Sequence, residues 1–231
     1  YELTLERVLK GGSPEFTHAF LLADVIPDNQ RRFTNFSGDL SGRYIGALGT
    51  IASWRGTRFP SADRLVRAVL RNQRSDGHFG KEMGRREILS DDMARLWGNG
   101  RLLIGLLEHE GGRDRPEVLR AARRLGDFLV RVAKRYNHPN VQRRFQRGKL
   151  AVGYICWTQN IEGLVALYRR TSDERYRRLA EELAERTSRH PEQHSHGYLS
   201  SLRGIVELSR ATGDKRHLVR VEDEVEALTS S

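Results

Sequence analysis

Four short stretches gather side chains that could do chemistry. Asp39, Ser41 and Arg43 stand together. Asp92, Arg95, Trp97 and Asn99 follow, then Cys156, Trp157, Gln159 and Asn160, and last His194, His196 and Tyr198. Aromatic planes beside carboxamides, carboxylates and imidazoles suit a sugar. An indole stacks on the apolar face of a pyranose or furanose ring while polar groups meet the hydroxyls. Trp97 and Trp157 are the candidate platforms. Asp39, Asn99, Gln159, Asn160, His196 and Tyr198 complete the expected substrate-binding set. Asp39, Glu162 and His196 are candidates for general acid or base work. Asp76, Asp91 and Asp92 widen the pool from which a glycosidase carboxylate pair could come, and spacing alone does not choose among them. The blander assignment makes Asp39, Ser90 and Asp92 helix caps and both tryptophans core.

Other chemistries find less support. His194 and His196 are two apart, which does not put two metal ligands on one helix face, so no metal is expected. Cys156 could be a nucleophile beside a histidine. A lone cysteine between Ile155 and Trp157 is more often a small core residue. There is no Gly-rich phosphate loop, Gly-x-Ser-x-Gly elbow or His-Glu-x-x-His, and no cofactor is expected in this chain.

These stretches must be positioned by helices. Ile161, Leu164, Val165 and Tyr168, then Tyr176, Leu179, Ala180 and Leu183, follow the i, i+3, i+4, i+7 spacing of a helix face. Thr171-Ser172-Asp173 between them is a polar turn, so the unit is a helical hairpin. The unit recurs. Gly163 to Asp173 matches Gly204 to Asp214 at an offset of 41, and Gly105-Leu106-Leu107 begins a degenerate copy. Two earlier hairpins are marked by Tyr44, Ile45, Leu48 and Ile51 with Leu65, Val66, Val69 and Leu70, and by Leu96, Leu103 and Leu106 with Val118, Ala122, Leu125 and Leu129. Gly98, Gly100 and Gly105 inside one helix imply close packing or the approach of a ligand. The expectation is an all-α toroid of about four hairpins, over residues 39–231, after a lead-in segment of residues 1–38. Residues 136–155 read as a basic, aromatic loop. In such a toroid the inner helices start at one mouth, where their partly positive ends receive polar ligands.

Composition sets the bounds. The chain has 231 residues, 30% charged and 38% hydrophobic, with a formal net charge of +10. Of 40 basic residues only five are lysine. The arginines alternate with acids, as from Asp173 to Arg186, rather than forming the stripe a nucleic acid would need. No apolar run approaches the ~20 residues of a membrane span. The chain opens on Tyr1, so it is expected to be cytoplasmic, or secreted after loss of a leader.

Three segments in order carry a resemblance. Ser37 to Tyr44 reads SGDLSGRY, Gln73 to Gly80 reads QRSDGHFG, and Leu96 to Leu107 reads LWGNGRLLIGLL. With the two Thr-x-Asp turns behind them, the chain over roughly residues 35–230 is similar to the N-terminal part of the β-L-arabinofuranosidase-like proteins, glycoside hydrolase family 127 and its relatives. The resemblance implies an (α/α)6 barrel acting on plant or bacterial glycans, with this chain supplying the N-terminal barrel and its substrate contacts. It also implies retaining chemistry by a cysteine nucleophile beside a zinc site of cysteines and a glutamate. Those motifs lie downstream of the matched part, and Cys156 matches none of them. Eight helices are four short of a twelve-helix barrel. The rest would come from a missing C-terminal portion or an oligomer partner, unless the chemistry has diverged. The alternatives are an unsaturated uronyl hydrolase or sugar epimerase on a similar toroid, with the basic stretch 143–149 meeting a uronate, and a non-enzymatic scaffold binding protein or nucleic acid.

Overall fold

The computed structural model describes residues 2–10, 16–27, 35–111, 113, 115–146, 153–190 and 194–230. The lead-in contributes two short helices, α1 (Glu2–Lys10) and α2 (His18–Leu22). The first hairpin is α3 (Asp39–Arg55) with α4 (Pro60–Leu70), and the second is α5 (Ser90–Glu110) with α6 (Pro116–Tyr136). Two short helices follow: α7 (Pro139–Phe145) lies within the stretch that reads as a loop in the sequence, and α8 (Ile155–Thr158) begins at its end. Then come α9 (Ile161–Thr171) with α10 (Glu174–Arg186), and α11 (Ser195–Thr212) with α12 (Arg216–Thr229). The described residues contain no strand.

The odd-numbered long helices α3, α5, α9 and α11 pack side by side in chain order, and their partners α4, α6, α10 and α12 back them. The inner row is parallel. Gly42 faces Arg101 and Gly49 faces His109 along α3 and α5. Glu162 meets Arg203, and Arg169 meets Glu207, along α9 and α11. All four inner helices therefore begin at one end. One apolar core runs between the two rows, from Leu21 and Val25 through Leu96, Leu103, Leu129, Trp157 and Leu183 to Val221.

Glycines set the closest contact. A methyl built on Gly105 would lie 2.1 Å from the Gly42 carbonyl oxygen, and one on Gly42 would lie 2.6 Å from that of Arg101. The backbones of α3 and α5 thus touch with no room for side chains. Gly98 meets the Phe36 carbonyl, and Gly100 meets Asn160 Oδ1. These glycines serve helix and loop packing rather than ligand approach.

Polar side chains fix the ends. Gly38, at the start of α3, has no side chain to cap it. The buried Asp24 carboxylate of the lead-in does so from a distance, accepting from the Leu40 and Ser41 N–H groups at 2.8 and 3.0 Å. Asp92 reaches back to the Leu89 N–H at 2.8 Å and so satisfies one free backbone donor at the start of α5. It also accepts from Gly84 N–H at 3.0 Å and from buried Arg95 at 2.6 Å. The two recurring turns share one geometry. Thr171 and Thr212 donate to the carbonyls four residues back, at 2.7 and 2.8 Å. Asp173 and Asp214 each accept from the N–H two residues on, at 3.0 Å. The residue between is left-handed in both, Ser172 at φ 55° and Gly213 at φ 77°.

Candidate functional site

The mouth of the inner row is built from the first turns of α3 and α11 and the middle of α5. Asp39 is the first residue of α3. Its Oδ1 accepts from Trp97 Nε1 at 2.9 Å and from Arg43 Nε at 2.9 Å. Trp97 is the eighth residue of α5, so that helix starts about 10 Å outside the level of Asp39, on the side away from Glu162, at 1.5 Å per residue. This is why Asp92, close to the start of α5, is a cap and lies outside the cluster. The Trp97 ring is 3% exposed and packs against His194 and His196 at centroid distances of 5.4 and 5.9 Å. The Arg101 guanidinium lies 5.4 Å from its centroid on another side.

Arg101 sits one helical turn beyond Trp97 and is nearly buried. Its Nη2 donates to Ser200 Oγ and lies 3.3 Å from His196 Nε2, while Arg43 Nη2 reaches the same nitrogen at 3.2 Å. Guanidinium groups only donate, so Nε2 accepts and the proton of the neutral ring is on Nδ1. Burial, then the charges of Arg101 and Arg43, hold the His196 imidazole below its ordinary range. Arg101 is itself lowered, by burial first and Arg43 next.

Deeper along the same wall, Glu162 pairs with Arg203 at 3.1 Å and lies 4.0 Å from Arg101. Burial raises its carboxyl above the ordinary range, against the pull of Arg203 and Arg101. Glu108 is raised in the same way, by burial and then by Glu162. A carboxyl held above its usual range by burial can keep a proton for donation nearer neutral pH. Beyond them opens a cavity of about 420 Å³ bounded by Ile104, Glu108, Glu162, Val165, Arg203 and Glu207.

The structure thus brings together Asp39, Trp97, His196 and, one turn inward, Glu162. It does not bring the remaining candidates to the wall. Trp157 is 0% exposed, with its Nε1 donating to Asn137 at 2.7 Å and its ring against Tyr136. It cannot stack on a sugar there, and Trp97, though at the mouth, has little open face. Buried Asn99 donates to the Ser37 and Phe79 carbonyls and accepts from the Phe79 N–H, tying a loop to α5. Gln159 donates to the Trp97 carbonyl, and Asn160 to those of Cys156 and Trp157. Tyr198 points to the outer row, donating to Glu224 at 2.5 Å. These five are corrected from substrate contacts to framework. Their donors are taken up by backbone carbonyls and by Asn137 and Glu224 inside the helical framework.

Arg101, Ser200, Arg203 and Glu108 escaped the sequence reading. The signal was present: Arg101 is four residues beyond Trp97, and Ser200 and Arg203 are four and seven beyond His196, on the same helix faces. The described part of the basic stretch, residues 143–146, does not reach this wall. Arg144 pairs with Glu87 at 2.9 Å away from the mouth, and residues 147–149 lie outside the described residues.

Parallel inner helices backed by a second helical row define an (α/α)-barrel-type protein. The chain belongs to the family described as β-L-arabinofuranosidase, GH127 catalytic domain, whose family model matches residues 29–203. A solved structure titled "Glycoside hydrolase" is similar at 18% identity and a TM-score of 0.54, over 83% of this chain and 33% of that one. At that identity the likeness speaks for the fold, and the chain spans about a third of the solved protein. No curated protein matches the chain.

The cysteine-and-zinc chemistry implied by the resemblance does not fit the residues present. Cys156 is the chain's one cysteine, it is fully buried, and burial pushes its thiol up, away from the thiolate that attacks or ligates. Among the described residues no three His, Cys, Asp or Glu side chains are grouped to hold a metal.

Proposed function

We propose that this chain forms the substrate-facing wall of a glycoside hydrolase of the β-L-arabinofuranosidase type, acting on plant or bacterial glycans. The family match over residues 29–203 carries the reading. The wall supports it: Asp39, His196, Ser200 and Glu162 present acceptors and donors to sugar hydroxyls from three parallel helices, α3, α9 and α11. Glu162, protonated further toward neutral pH than a free carboxylate, is the candidate proton donor, and His196 with a free Nδ1–H is the candidate hydroxyl ligand. Catalytic groups on further hairpins complete the site. Leu218, Val219, Val225 and Leu228, left exposed on α12, support a continuation of the row at that edge.

The test is incubation of the protein with β-L-arabinofuranosyl oligosaccharides, following release of arabinose and, separately, binding by calorimetry. Binding that weakens at least roughly tenfold in Asp39→Ala, where a charged acceptor for a sugar hydroxyl is lost, is the expected result. Absence of both binding and release in a protein that melts cooperatively overturns the proposal.

A further inference from the structure

Of the two arginines at the mouth, Arg101 keeps a buried donor that no described residue accepts. Arg43 uses Nε on Asp39 and points Nη2 at His196 Nε2, 3.2 Å away. Arg101 points Nη2 at the same nitrogen from 3.3 Å, shares Ser200 Oγ, and lies 4.0 Å from Glu162, outside hydrogen-bond distance. Its buried Nε has no hydrogen-bond partner among the described residues. Two cations thus converge on one lone pair of a neutral ring, with Asp39 the nearest carboxylate in hydrogen-bond contact. A neutral imidazole is a weak partner for two guanidinium groups. A carboxylate there would make charge-assisted, paired hydrogen bonds, which guanidinium geometry favours. The His196 ring is exposed, so it can swing aside without disturbing the core.

We propose that Arg43 and Arg101 form a subsite for the carboxylate of an acidic sugar, with His196 holding the place of that carboxylate when the subsite is empty. The inference rests on the glycan-binding wall proposed above and gives its substrate an acidic residue. Further hydrogen-bonding side chains adjoin the two arginines. Asp39 and Ser200 flank the two arginines, and Glu162 with Arg203 lies one turn deeper. The anion is therefore read as part of a sugar rather than as a free ion.

The experiment is a calorimetric titration of the protein with D-galacturonate and D-glucuronate, with their neutral counterparts D-galactose and D-glucose, and with inorganic phosphate alone. The expected result is uronate binding roughly tenfold or more tighter than the neutral sugar, since charge-assisted hydrogen bonds are replaced by neutral ones. Arg43→Gln should remove that preference. Arg216→Gln, at the far turn, should keep it. Arg43 is largely exposed, so its variant is expected to fold, and a melting curve checks this. Equal affinity for acid and neutral sugars overturns the carboxylate subsite while leaving the glycan wall standing. Phosphate binding as tightly as uronate overturns the assignment to a sugar. Binding of no sugar at all overturns both readings.

Discussion

Replacing Gly105 by alanine tests the architecture at its tightest point. The added methyl would lie 2.1 Å from the Gly42 carbonyl oxygen and 2.8 Å from its carbon. That is more than about 1 Å short of ordinary contact, and the obstacle is backbone on both sides. Overpacking costs about 1–3 kcal/mol, and a clash that only helix separation can relieve belongs near the top, about 3 kcal/mol. Alanine recovers about 1 kcal/mol of helix propensity. The net loss is about 2 kcal/mol, or a melting temperature lower by roughly 4–8 °C for a chain of this size. Gly163→Ala is the matched control. Its methyl would meet side chains alone, Leu103 at 3.0 and 3.2 Å and Ile104 at an ordinary 3.5 Å, and a leucine can give way. Its melting temperature should stay level or rise. Circular dichroism melts of the three proteins decide the matter. An unchanged or raised melting temperature in Gly105→Ala would refute the described contact of α3 and α5.

Asp92→Ala should be the most damaging single polar substitution. It strips the cap of α5 and leaves Arg95, 7% exposed, as a buried cation without its partner, at about 3–5 kcal/mol; a urea midpoint indistinguishable from the parent's would contradict this. His109, buried at the end of α5, should make the protein acid-sensitive. Burial, then Arg115, hold its imidazole at about 4 against Asp63, whereas in the unfolded chain it titrates near its ordinary value of 6.5. The unfolded state therefore takes the proton first. The penalty is absent above about pH 6.5, grows as pH falls from there to about 4, and levels off below, at about 3 kcal/mol in full. Urea stability measured at pH 7 and 4.5 should fall less in His109→Gln than in the parent, and equal losses would dismiss the role.

The hairpins were legible because their signals are local. Apolar spacing gave α9 to α12, and the repeated Thr-x-Asp turns carried their own caps, so the shared geometry at Asp173 and Asp214 follows from residues within a few positions. The short helices α7 and α8 were not legible, since about two turns of helix from Pro139 to Phe145 and one from Ile155 to Thr158 are too short to show a period. The site was half legible. Residue type suggested Asp39, Trp97, Glu162 and His196, yet the same criterion selected Trp157, Asn99 and Tyr198, because an aromatic or amide looks alike in a core and in a pocket until burial separates them. Asp24 shows the limit from the other side. Its capping of α3 joins residues 16 positions apart through space, and nothing near Asp24 in the sequence announces it.

The self-contained turns bear on the order in which the molecule assembles. Each of the last two hairpins closes over a connection of two or three residues whose bonds are made within the turn itself, so loop closure is fast and needs no distant partner. The seam of α3 and α5 is different. It joins Gly42 to Gly105 across an intervening hairpin arm and loop, and it tolerates no looser intermediate packing. The chain should therefore gain protection first over residues 161–229 and last along the glycine seam, an order that pulse-labelled hydrogen exchange reads directly. Because Asp39 and Arg43 ride on α3, the binding mouth would be completed by the last contact to form.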